Sequence, residues 1–234
     1  MEVLLTGLEW FAVFVVGLLA RFALLLVVVA ILAIPPALVL MAIGGYGLAR
    51  RSALGVSRVD GLDWRRDLYY SPGHTWVKRD RGLGLKVGLD DLARRLLPGA
   101  RRVELPSVGT VLQEGDVATV IACGDKQVRI ASPVEGTVTA VNRAVASNTS
   151  LIHRDPYARG WLFSVAPASD RSPALLRGEL ARSWLKAEST RLSRFLETEL
   201  GVAAADGGEF VSPAPPLLSQ AQWEALTRAF LKAS

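Results

Sequence analysis

The sequence predicts a mainly β protein, framed by an apolar N-terminal helix and by amphipathic C-terminal helices. Three observations carry that expectation. Residues 22–48 contain no charged side chain and are dominated by Leu, Val, Ile and Ala. Residues 68–167 break into short alternating runs separated by Gly, Pro and Asp, as strands and turns do. Beyond residue 172 the apolar spacing becomes helical, through Leu176, Leu180, Trp184, Leu185, Leu192 and Leu196.

The apolar run comes first. A helix rises about 1.5 Å per residue, so residues 22–48 are long enough to cross a hydrocarbon core of about 30 Å. No basic segment precedes the run and it is too long for a cleaved signal peptide. Residues 8–20 are also apolar, with Glu9 near their start and Arg21 closing them, and extend the span or lie at the interface; a two-span hairpin is the alternative. Arg50, Arg51, Arg58, Arg65 and Arg66 follow the span, against Arg21 alone before it. The positive-inside rule then places the remainder of the chain in the cytoplasm, at an inner bacterial membrane. Residues 1–51 are thus expected as a membrane anchor and 52–67 as a basic tether. The chain carries 27 basic and 22 acidic residues, a net charge of +5. With the arginines clustered beside the apolar run, that balance points to an anionic membrane face and not to nucleic acid.

In residues 68–167, two segments at 75–78 and 83–89 form a hairpin across Asp80-Arg81-Gly82, which also accounts for Gly82-Leu83-Gly84 as a turn. Asp90 caps a short helix that ends at Pro98-Gly99. Further strands are expected at 101–105, 110–112, 117–122, 128–131, 137–142 and 161–165. Residues 172–201 read as an amphipathic helix, 202–218 as an Ala, Gly and Pro-rich linker, and 219–234 as a last helix. That helix opens with a capping box at Ser219-Gln220-Ala221-Gln222 and turns Trp223, Leu226, Phe230 and Leu231 to one side.

Few residues offer chemistry. His74 and His153 are the only histidines and Cys123 the only cysteine, which excludes an internal disulfide and makes a metal site unconvincing. His74 reads as structural, Cys123 as a buried apolar group, and Asp90-Asp91 as a helix start. No phosphate-binding loop, dinucleotide fingerprint or serine–histidine motif is present, so no catalytic residues are expected and the chain is read as a non-enzyme. One turn stands apart: Gly124-Asp125-Lys126, between two strands and ahead of a second turn at Ser132-Pro133-Val134-Glu135-Gly136.

Six blocks, in order, resemble the glycine cleavage system H-protein family. They are Tyr70 with His74-Thr75-Trp76-Val77, Val87-Gly88-Leu89 leading into a helix, Val103-Glu104-Leu105-Pro106-Ser107-Val108-Gly109, Ser132-Pro133-Val134-Glu135-Gly136, Val141-Asn142, and Asp155-Pro156-Tyr157 with Gly160-Trp161-Leu162. The resemblance implies a lipoyl-type barrel-sandwich hybrid of antiparallel strands and a lysine that carries lipoate in amide linkage. In that family the lysine stands eight residues before the proline of the second turn, a position occupied here by Asp125. Lys126 is its neighbour, and Ala122-Cys123-Gly124 replaces the residues that usually precede it. Two accounts stay open. Lys126 holds the arm from the tip of the turn, or it is a plain turn lysine, because a one-residue shift in a strand reverses the face of each side chain.

The expected function is a membrane-anchored carrier with lipoate on Lys126, passing aminomethyl groups or electrons between partner enzymes. The alternative is an unmodified H-like adaptor that binds protein partners through its C-terminal helices. The lipid bilayer and lipoyl-dependent enzymes or a membrane complex are the expected partners.

Overall fold

The protein is described from a computed structural model over residues 2–53, 55–168, 175–200 and 218–231. It divides into two compact units, residues 1–51 and 52–234. The first is a single helix, α1 (Glu2–Ala53), which continues through Pro35 and Pro36. Within it Phe14–Gly45 is long and apolar enough to cross a membrane. No turn divides α1, so the two-span alternative has no counterpart in the described residues.

The second unit opens with β1 (Val56–Val59) and β2 (Leu62–Arg65), then β3 (Tyr69–Tyr70), β4 (Thr75–Asp80), β5 (Gly84–Leu89) and α2 (Asp91–Leu96). Next come β6 (Ala100–Glu104), β7 (Val111–Leu112), β8 (Val117–Cys123), β9 (Lys126–Ala131) and β10 (Gly136–Val141). Two short helices, α3 (Arg143–Ser147) and α4 (Ser150–Arg154), lead into β11 (Trp161–Pro167). The final elements are β12 (Leu176–Arg177), α5 (Gly178–Leu200) and α6 (Gln220–Phe230).

The strands form a seven-stranded sheet in the order β12-β3-β4-β5-β11-β10-β7, a three-stranded sheet β6-β8-β9, and the β1-β2 hairpin, all antiparallel. Alternate residues point to opposite faces of a strand, and the inward ones make the core. Trp76, Tyr70, Phe163, Val87, Leu162 and Ile121 are all buried there. Close approach requires glycine at several positions, Gly88 and Gly136 among them. A Cβ on Gly88 would strike the Trp76 indole at 2.5 Å, and one on Gly136 would meet the Ala166 carbonyl at 2.1 Å.

Residues 52–67 are not the basic tether expected from their charge. They hold the β1–β2 hairpin, in which Val59, Leu62 and Trp64 are buried. Arg65 is buried too, its guanidinium paired with Asp67 at 2.7 Å, so it belongs to the interior of the unit and not to a solvated basic cluster. The amphipathic stretch gives α5 from Gly178, with β12 ahead of it; Ser172-Pro173 and the expected linker, apart from Leu218, lie outside the described residues. Asp90 caps α2, its carboxylate accepting from the Ala93 N–H at 2.9 Å. The capping box at Ser219 and Gln222 starts α6.

Candidate functional site: the β8–β9 hairpin

β8 and β9 are joined by a two-residue turn, with Cys123 paired to Lys126 and Gly124-Asp125 between them. Gly124 has φ +68°, a left-handed conformation that glycine adopts without a Cβ clash, and places it first in a primed hairpin turn. The turn fixes which way each side chain of β9 points. Lys126, Val128 and Ile130 face inward and are buried, while Gln127 and Arg129 are exposed.

This corrects the expected geometry of the site. Lys126 is not at the projecting tip but is the first residue of β9, with its side chain only 6% exposed. Asp125, at the position where the resemblance puts the lysine, projects from the turn with 83% of its side chain exposed. Its carboxylate lies 3.5 Å from the Lys126 ammonium. The strand period is the reason: one step along the chain is one reversal of face.

Beside its hairpin partner β8, the element packed most closely on β9 is α6. The Trp223 indole N–H donates to the Gln127 carbonyl at 3.1 Å, one peptide beyond Lys126. Trp223, Leu226, Phe230 and Leu231 are all buried. On the other side Arg191 of α5 donates to the Ala229 carbonyl at 3.1–3.2 Å and lies 4.0 Å from the centre of the Phe230 ring.

The remaining candidates are structural. Cys123 is buried, its thiol 3.8 Å from the Leu97 carbonyl, and burial pushes its pKa up to about 11, which removes it as a nucleophile at neutral pH. His74 is fully buried at φ +56°, stacked on Trp184 at 4.8 Å, between Asp90 at 2.8 Å and Glu188 at 3.4 Å. Burial alone would lower its pKa, but the two carboxylates outweigh burial and hold it at about 9, so both ring nitrogens donate at pH 7. For Glu188, burial acts upward, yet His74 and Arg191 outweigh it and bring the carboxyl down to about 2. Asp91 is buried between Arg94 and Arg95 and accepts the Asp63 N–H at 2.9 Å. His153 is pulled down, chiefly by burial and also by Arg94. Among the described residues no group of His, Cys, Asp and Glu is placed to hold a metal. Gly82 and Leu83 donate to Asp80 in a plain hairpin turn.

Sequence reasoning missed the contacts that bind the C-terminal helices to the β unit, Glu188 to His74 and Trp223 to Gln127. The capping box announced α6, but nothing in the spacing of its apolar residues names the surface they cover.

The β unit is antiparallel, carries a lysine in its β8–β9 hairpin, and has its histidines and thiol engaged in packing. Known proteins give the family. The sequence profile described as "Glycine cleavage H-protein" matches residues 68–188. Glycine cleavage system H protein 1 of Caldanaerobacter subterraneus subsp. tengcongensis is 43% identical over 99 residues, which cover 42% of this chain and 78% of that relative. The H protein of Mycobacterium avium is 35% identical over 124 residues, covering 51% of this chain and 94% of the relative. The crystal structure of the Mycobacterium marinum H protein aligns with 53% of this chain and 99% of its own, at 25% identity and a TM-score of 0.46. This chain belongs to the glycine cleavage H-protein family. Members carry covalently attached lipoate between the glycine cleavage enzymes and are not themselves catalysts; this chain is accordingly no enzyme.

Proposed function

We propose that the chain is a lipoyl carrier of the H-protein kind, held at the cytoplasmic face of an inner membrane by α1, with its arm on Lys126. The observation that supports the attachment residue is the lysine itself. The chain uses arginine almost everywhere, 22 times against five lysines, yet a lysine stands in the one hairpin where the family needs an amine. Arginine stays protonated and cannot be acylated under ordinary conditions, so a lysine in this hairpin keeps an amine chemistry that most of the chain's basic residues lack.

The residue type fits the group, while the amine stands one residue from the family's position and faces inward in the conformation described. When bound, lipoate supplies a dithiolane that accepts an aminomethyl group or electrons from a partner enzyme. The chain supplies the amide anchor at Lys126 and a stiff two-residue turn that fixes where the arm begins. Asp125 keeps a negative charge beside it.

Membrane attachment rests on Phe14–Gly45, an apolar, solvent-facing run, and on Arg50 and Arg51 just after it. Partners would be lipoyl-dependent enzymes that act at that surface, where a tethered carrier has a raised effective concentration.

The burial of Lys126 favours a second reading, an unmodified adaptor that has kept the fold. Intact mass of the protein from its native host, beside Lys126→Ala, separates the two. A lipoyl increment that is lost in the variant supports the carrier. An unmodified mass, in cells whose other H proteins are lipoylated, leaves the adaptor.

A further inference from the structure

We propose that α6 is a built-in cover for the Lys126 amine, so that acylation and arm movement belong to a state in which α6 has left β9. The inference rests on reading Lys126 as the attachment site. A lysine one residue from the open end of a hairpin is ordinarily solvated; this one is 6% exposed, while its neighbour Asp125 is 83% exposed. β9 is the edge strand of the three-stranded sheet β6-β8-β9, and a sheet does not bury its own edge or faces, so the cover comes from outside it. The element lying against that strand is α6, latched by the Trp223 indole to the peptide after Lys126.

The cover is also an addition to the family domain. The family match ends at residue 188 and α6 begins at Gln220. Its attachment is of the kind that can be released locally. α6 spans 11 residues, too short to persist as an isolated helix, so docking and helix formation are coupled. It is held by one apolar face, the indole bond to Gln127, the Arg191 contacts to Ala229 and Phe230, and the Phe195–Phe230 edge contact at 5.6 Å. None of the core strands has to separate for it to lift, and such local openings cost less than global unfolding.

Acylation itself needs the amine in the open. The ammonium of Lys126 first gives a proton to solvent. The free amine then attacks the carbonyl carbon of a lipoyl adenylate, the carbon–oxygen bond breaks with its electrons going to AMP, and the second N–H proton leaves as the amide forms. The tetrahedral carbon formed on attack has no room beside an amine packed under a helix.

The test is pulsed acetylation of the full detergent-solubilised chain with the N-hydroxysuccinimide ester of acetic acid, read peptide by peptide. Lys78, with 44% of its side chain exposed, is the internal reference. Lys126 is expected to label far more slowly than Lys78. Trp223→Ala should raise its relative rate by roughly tenfold or more. Ser219→Ala removes only the helix cap on the exposed side and should raise it about fivefold, with the β unit intact by circular dichroism. Labelling of Lys126 at the Lys78 rate in the unaltered chain overturns the cover, as does a slow rate that neither variant moves. A lipoate ligase arm separates the two readings. If the variants expose Lys126 to the ester but ligase, lipoate and ATP never modify it, the attachment reading fails while the cover stands. If ligase modifies the unaltered chain and both variants equally fast, the attachment stands and the cover fails.

Discussion

Two hairpins of this protein are each closed by a two-residue turn of one Asp and one Gly, and they are held in different ways. β1–β2 turns on Asp60-Gly61, with φ of +43° and +77°, and β8–β9 turns on Gly124-Asp125. The first hairpin is fastened from beneath by hydrogen bonds, three of them buried. The Asp63 N–H donates to Asp91, the Tyr157 hydroxyl donates to the Asp63 carbonyl at 2.5 Å, the Arg65 N–H donates to the Tyr70 hydroxyl at 2.8 Å, and Arg95 donates to the Gly61 carbonyl at 2.6 Å. The second hairpin meets α6 through one indole bond and an apolar face. Breaking a buried polar bond leaves a desolvated group behind, whereas lifting α6 re-exposes its apolar face to water at roughly 1.5–3 kcal/mol per large side chain. The hairpin that follows α1 is fastened by buried polar bonds, and the hairpin that bears the lysine meets α6 mainly through an apolar face.

That contrast can be broken most forcefully at Asp91. Asp91→Ala leaves the Asp63 N–H and two arginines without their buried carboxylate and should cost about 3 kcal/mol, seen as a lower urea midpoint by tryptophan fluorescence. An unchanged midpoint would mean that β1–β2 is not fastened through this residue. A pH series acts on the attachment of α5. His74 is held at about 9 against an ordinary value of 6.5, so its contribution is complete below 6.5 and is lost as pH rises through 9. Glu188 is held at about 2 against 4.5, so its contribution is complete above 4.5 and is lost as pH falls through 2. Stability is therefore expected to peak between those ranges and to fall by roughly 1–3 kcal/mol toward pH 9.5. His74→Gln should flatten the alkaline limb. Gly61→Val forces a β-branched residue into a left-handed conformation and should cost roughly 1–2 kcal/mol, with no change in Lys126 labelling. The gentlest change sharpens the other side. Asp125→Lys places an amine on the exposed tip and should shift stability by less than about 0.5 kcal/mol, yet be acylated at the rate of Lys78. Slow labelling at residue 125 would show that more than the side-chain direction protects this turn.

Much of the fold was legible because local chemistry and tertiary structure agree. Asp90 and Ser219 cap the helices they announce, and the alternation from Thr75 through Val165 marks strands whose inner faces are the core. Residues 52–67 were misread because their arginines suggested solvation. Arg65 is neutralised by Asp67, and all four residues of β2 are buried, so no polar alternation appears there. The signal that could have found the hairpin was Asp60-Gly61 between Val59 and Leu62, the favoured dipeptide of a primed turn. α3 and α4 are five residues each, too short for a helical period to show. At the lysine hairpin the turn was legible and the burial was not. The reversal of face follows from counting along β9, but the cover over it comes from a helix whose seat no local pattern records.

The order of the elements along the chain gives that cover a consequence in time. The lysine hairpin ends at Ala131 and the helix that seals it begins at Gln220. Domains fold from the N-terminal side as they leave the ribosome. During synthesis there is thus an interval in which the residues of β8–β9 have left the ribosome and those of α6 have not. A ligase working in that interval meets an open amine, and the same ligase given the finished chain meets a shut one. The history of each copy, and not only its conformation at equilibrium, would then decide whether it carries an arm.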